Sequence, residues 1–269
     1  MATKPSLAKQ PDEIVVKAGR EAAAGRPGAR IIAATAEELG MTFESSEPRV
    51  EVPSDVQELV NAWTDSYKGF LVDRTENYVR QLAARQENKR NGAGPEAGEP
   101  VHFGYTYWDL ITISPLQFIS LPPYQPQKIV ASGELAFLQA VMFINPATNI
   151  FNPISATTQL GGRTFRVRFE QINLTDVTNG PDFTFVGVFP SPAPSLIFFT
   201  VPFVAPNPGL NPRLIELNVT ADIMNPAQPF AAFSTWQLDV DSEPGFLGLP
   251  DTPSEFQHDI PMRYLIYPK

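Results

Sequence analysis

The side chains able to do chemistry are few, and their spacing argues little for catalysis. Histidine occurs twice, at His102 and His258, and cysteine is absent. A His-rich or thiolate metal site and a cysteine nucleophile are therefore excluded within one chain. Asp239, Asp241 and Glu243 alternate in DVDSEPG as hard-cation ligands sometimes do, but the run lacks the spacing and glycine of an EF-hand loop. They read as the solvated outer face of a strand. His258-Asp259 could be combined with Ser132 or Ser254 into a triad, yet there is no G-x-S-x-G elbow. His258 reads as a loop residue making an ordinary hydrogen bond.

Glu134, Glu170, Glu216 and Asp222 are the carboxylates best placed on strands, and nothing in their spacing selects a pair for glycoside chemistry. Gly161-Gly162-Arg163 is no phosphate loop and reads as a strand-to-strand turn. Arg163, Arg166 and Arg168 form the only basic cluster of the C-terminal region, and read as the exposed face of a half-buried strand. Asn173-Leu-Thr and Asn218-Val-Thr match glycosylation acceptors, which matter only on export. The expectation is a noncatalytic protein without cofactor or metal.

Residues 1–53 mix alanine, glycine, proline and both charges, and read as a largely irregular N-terminal arm. Within it Thr35-Ala-Glu-Glu38 has capping-box spacing, predicting one helical turn that ends near Gly40. Ser54 and Gln57 form a second box ahead of Val56, Leu59, Val60, Trp63, Tyr67, Phe70 and Leu71, which recur at three- and four-residue steps. A long amphipathic helix is predicted over 54–91, with a thinner stripe (Tyr78, Val79, Leu82) in its second half. At 1.5 Å per residue it would span roughly 55 Å against roughly 40 Å for the domain that follows. It must therefore kink, with Gly69 the weak point, or project toward another subunit. NGAGPEAGEP supplies a linker over 92–100.

Residues 101–269 alternate apolar runs with proline-rich punctuation, predicting an antiparallel β-sandwich or jelly roll of about eight strands. Leu214 to Ile223 alternates strictly, as do Trp236 to Val240 and Met262 to Ile266. Leu135 to Ile144 is apolar almost throughout, as a strand covered on both faces requires. In Phe165 to Leu174 the parity switches at Ile172, which predicts a β-bulge near Glu170 and Gln171. Phe183 to Phe189 and Leu196 to Val201 flank Ser191-Pro-Ala-Pro194 and read as a hairpin, and Phe103 to Ile113 completes the set. Ile144-Asn-Pro-Ala147 and Met224-Asn-Pro-Ala227 share a turn solution rather than marking a duplication.

A net charge of −9 argues against a chain whose main partner is nucleic acid or an anionic membrane. No run approaches the ~18 apolar residues of a membrane span. The first residues lack the apolar core of a signal peptide, so the expected location is cytoplasmic, or within a virion or similar assembly. Leu196 to Leu210 and Phe118 to Tyr124 are apolar yet contain proline, which bars them from a central ladder and places them at edges that want covering. With the helix stripe, they nominate Trp63, Tyr67, Tyr78, Leu82, Phe198, Phe199 and Phe203 as interface residues. The function expected is a structural subunit, coat-like or appendage-like, that assembles with itself. The alternative is a monomeric recognition module for a carbohydrate, peptide or lipid, with a carboxylate hydrolase third.

Overall fold

The computed structural model describes residues 31–90, 107–118, 128–148, 153–224, 231–237 and 261–268. Outside them lie the first 30 residues, the linker, His102, His258-Asp259, Ser254, the Asp239 to Glu243 run, most of the Phe118 to Tyr124 stretch and all but the first residue of the second Asn-Pro-Ala turn.

The described chain is mainly β, with two sheets and one long helix. In chain order it contains β1 (Ala33–Thr35), β2 (Thr42–Ser45), α1 (Ser54–Arg90), β3 (Trp108–Leu116), β4 (Ile129–Ala131), β5 (Leu135–Ile144), α2 (Ala156–Leu160), β6 (Thr164–Asn173), β7 (Thr178–Asn179), β8 (Phe183–Val188), β9 (Leu196–Val204), β10 (Arg213–Ile223), β11 (Ala231–Gln237) and β12 (Met262–Tyr267). The first sheet runs β1-β9-β5-β3-β11, and the second runs β10-β6-β8-β2, with β12 beside β10, β4 beside β12 and β7 beside β6. Strand β11 joins them: Ala231 to Phe233 pair with β10, whereas Ser234 to Gln237 pair with β3. The strand count exceeds the eight expected because short edge strands have no periodicity to read. Three pairings, β1/β9, β11/β3 and β12/β4, are parallel, so the sheets are not purely antiparallel.

Alternation explains the core. Ile215, Leu217, Val219, Ala221 and Ile223 of β10 are all buried, and their neighbours are not. They join Phe165, Val167 and Phe169 of β6 in one cluster with Leu138, Ala140, Met142, Phe199 and Val201 of the first sheet. The other face of the first sheet carries α1. Tyr67, Leu71, Tyr78, Val79 and Leu82 pack on Ile111, Ile113, Val141, Phe143 and Phe198. Strand β5 is consequently covered on both faces, as its unbroken apolar sequence requires.

Helix α1 runs uninterrupted through Gly69 and docks on its own sheet through Leu82, so the stripe of its second half is not left for another subunit. Its start differs from the capping box expected. Ser54 lies inside the first turn, the Gln57 N–H donates to the Pro53 carbonyl (2.9 Å), and the Gln57 amide turns to Asn61 (2.9 Å). The other box forms reciprocally: the Thr35 N–H donates to Glu38 Oε2 (2.7 Å) and the Glu38 N–H to Thr35 Oγ1 (3.1 Å). The turn closes at Gly40, whose φ of 62° suits glycine.

The chain departs from its local sequence pattern at three further places. Strand β6 has no bulge near Glu170: its register with β10 is continuous and its inward parity persists through Gln171 and Asn173. Both polar side chains are satisfied inside. The Tyr264 hydroxyl donates to Gln171 Oε1, Gln171 Nε2 donates to the Pro181 carbonyl (3.2 Å), and Asn173 Oδ1 accepts from the N–H groups of Thr175 (3.0 Å) and Asp176 (3.2 Å). Strands β8 and β9 are not a hairpin, since β8 pairs with β6 and β2 while β9 pairs with β5 and β1; the prolines lie on a crossing between sheets. Gly161-Gly162 links helix α2, not a strand, to β6. A register shift does occur in β3, between Ile113 and Leu116, where Pro115 cannot donate to the ladder.

Candidate binding groove

The groove originates in the proline of β9. Strand β1 pairs with β9 only from Leu196 to Phe198, and the chain then turns away at Ala36, whose N–H donates to the Phe198 carbonyl (2.8 Å). Backbone groups alternate sides along a strand, so those of Thr200, Pro202 and Val204 point the same way as those of Phe198. Beyond Phe198 no described strand lies beside this edge. Pro202 occupies a position whose N–H would face outward, which leaves the ladder to β5 intact and takes one donor from the outer edge, where the N–H groups of Thr200 and Val204 remain.

After Gly40 the chain crosses to the second sheet, where β2 pairs with β8 and the Met41 side chain lies over Gly187, so that a side chain there would have to displace it. The segment from Ser45 to Val52 then returns to the start of α1. Between these parts is an open groove of about 1390 Å³. Its walls include Phe43, Phe183 and Phe185 on one side and Phe137, Phe198 and Phe203 on the other, with Val60 and Thr64 from α1. Phe43 stacks on Phe183 at 6.1 Å and tilts against Phe185 at 5.0 Å, which fixes one wall.

The rim is charged. Lys68 pairs with Glu38 (3.3 Å) and Arg213 with Asp176 (3.2 Å). Glu37, Glu47 and Asp65 also line the groove and make no ion pair among the described residues, and neither does Arg49. The rim is therefore acidic on balance.

Most of the residues nominated from sequence lie outside the groove. Tyr67, Tyr78, Leu82, Phe198, Phe199 and Phe203 are buried within one chain, and Trp63 is partly buried, stacked on Tyr67 at 5.1 Å. Of these, Phe198 and Phe203 also reach the groove. Two of the strand carboxylates, Asp222 and Glu216, are neutralised by arginines on neighbouring strands. Arg166 binds Asp222 bidentately (2.9 and 2.8 Å) and Arg263 binds Glu216 (2.8 Å), while Arg163 Nε donates to the Gln159 carbonyl (3.1 Å). The Asp222 contact and the Asp222 and Glu170 charges hold the Arg166 guanidinium further above its ordinary range. Arg168 and Glu170 lie half-buried on the same outward parity of β6 as Arg166. Glu134 immediately precedes β5, and Ser132 is buried beside it. Asn173 is buried, which removes one candidate glycosylation acceptor; Asn218 is half-buried on the outer parity of β10.

The groove was not visible in sequence because its lining comes from separated stretches between Thr35 and Ile266; the one signal pointing toward it was the proline within the apolar run of β9. No helix among the described residues is long and apolar enough to cross a membrane. Compared with models of known protein families and with curated proteins, the sequence matches none.

Proposed function

We propose that this chain is a noncatalytic recognition module of β-sandwich architecture, whose groove binds an extended polypeptide segment by strand addition to β9. The single observation that carries the reading is the outer edge from Thr200 to Val204, which no described strand covers, running along an aromatic-walled groove. An unpaired edge offers main-chain donors and acceptors, and flanking pockets take alternate side chains. The volume exceeds the roughly 300–1,000 Å³ of sites for small molecules, which favours a polymer. An acidic rim favours a neutral or basic segment. The shared core of the two sheets supports the sandwich description. The residues that suggested self-assembly are largely covered within one chain, which moves weight from assembly to recognition.

The test is to pan a random dodecapeptide library against the full-length protein, then follow backbone amide exchange with an enriched peptide bound. New protection at the Thr200 and Val204 N–H groups is expected. Binding that leaves both amides exchanging as in the free protein refutes strand addition.

A further inference from the structure

Strand β1 lies on the same edge of β9 as the groove and runs parallel to it, from Leu196 toward Phe198. Just ahead of it the Ile32 carbonyl accepts from the N–H groups of Ser195 (2.8 Å) and Leu196 (3.1 Å). The 30 residues before Ile31 therefore join the fold at the end of β9 away from Thr200. Their charge is opposite to that of the rest. Six basic and three acidic residues leave them at +3, so that the remainder of the chain carries −12 of the −9 total. Ile14-Val15-Val16 is the one run of β-branched residues among them, and Lys17 and Arg20 follow it.

We infer that the groove receives the N-terminal arm of a second copy of this chain, with Ile14-Val15-Val16 added as a strand to the edge from Thr200 to Val204. The inference rests on the peptide-binding reading above. β-Branched residues suit an extended strand, and alternation places Ile14 and Val16 together on one face, toward the aromatic walls. The basic residues of the arm complement Glu37, Glu47 and Asp65, the rim carboxylates without an ion pair among the described residues. Val16 stands 15 residues ahead of Ile31, a tether of up to roughly 50 Å. Because β1 runs toward the groove, the chain ahead of Ile31 sets out away from it. Filling its own groove would oblige the arm to reverse past β1, whereas a second copy's groove demands no reversal. Occupancy by a second copy depends on concentration, so in dilute protein the groove stands open to the library peptide.

The full-length protein is run over a concentration series by size-exclusion chromatography with light scattering, and amide exchange is followed in the same samples. Mass is expected to rise with concentration, and protection of the Thr200 and Val204 N–H groups to rise with it. The double variant Ile14→Asp, Val16→Asp should weaken association by about a hundredfold. Excess synthetic peptide of residues 11–20 should return wild type to monomer while keeping both amides protected. Glu37→Lys with Asp65→Lys, at exposed rim positions, should weaken association as well. A monomer at every concentration overturns the inference, as does association that neither the arm variant nor the peptide reduces. A monomer whose two amides lose protection only in the arm variant shows the arm in its own groove, and overturns the second copy. In each case a library peptide that protects those amides leaves the groove reading standing; protection by neither the arm nor any library peptide overturns both.

Discussion

The inward turn of Gln171 makes Tyr264→Phe the most informative perturbation of the fold. Tyr264 is 1% exposed and its hydroxyl donates to Gln171 Oε1, while the ring meets Phe203 edge-on at 6.5 Å. Removing the hydroxyl keeps the ring contact and opens almost no cavity. Its cost is then electrostatic: the net worth of one hydrogen bond, about 1 kcal/mol, plus the desolvation of an orphaned carbonyl, about 1 kcal/mol or more. The expected loss is about 2 kcal/mol, equivalent to a drop of roughly 4–8 °C in Tm for a chain of this size. Urea denaturation followed by circular dichroism measures it, with coincident fluorescence as the check on two-state behaviour. Gln171→Met supplies a double-mutant cycle. Added to Tyr264→Phe, it should cost less than it does alone, because the oxygen it removes is already orphaned. A Tyr264→Phe loss below about 0.5 kcal/mol, or strict additivity in the cycle, would falsify the claim that this bond lets β6 keep its parity through a polar residue.

Three further outcomes follow from the same contacts. Leu71, fully buried between α1 and the first sheet, should cost about 3 kcal/mol when cut to alanine, read as a shift in the urea midpoint; a loss under 1 kcal/mol means that the helix is not docked there. Thr112→Val removes a fully buried hydroxyl that has no hydrogen-bond partner among the described residues, and should raise stability by about 1 kcal/mol in the same assay; destabilisation contradicts an unsatisfied group. Burial pushes the Tyr67 phenol up to about 12 against the opposing pull of Arg74, and burial also raises that of Tyr264. Because the folded state holds these protons more tightly, their contribution is complete below pH ~10 and is lost as pH climbs toward 12, by about 2–3 kcal/mol for Tyr67. Tyr67→Phe should flatten that alkaline limb in melts between pH 9 and 11, and an unchanged slope counts against the burial.

Features set by a few neighbouring residues could be read directly from the chain. The period-two pattern of β10 and the three- and four-residue steps of α1 each carry their own buried face, since a side chain's direction follows from backbone geometry alone. The Thr35–Glu38 box closes within four residues, and the unbroken apolar run of β5 implied cover on both sides. Packing decided what those rules could not. Ile172 looked inward on hydrophobicity, but Tyr264, 93 positions away from Gln171, offered the donor that turned Gln171 in instead. The prolines between β8 and β9 suit a hairpin loop and a crossing between sheets equally well, and only the partners of each strand tell them apart. Apolar residues of α1 and β9 gave no sign of whether their cover would come from this chain or another, because burial energy depends on area and not on its source. The groove lies furthest from the sequence: its walls, and the strand edge beside it, exist only once distant segments have taken their places.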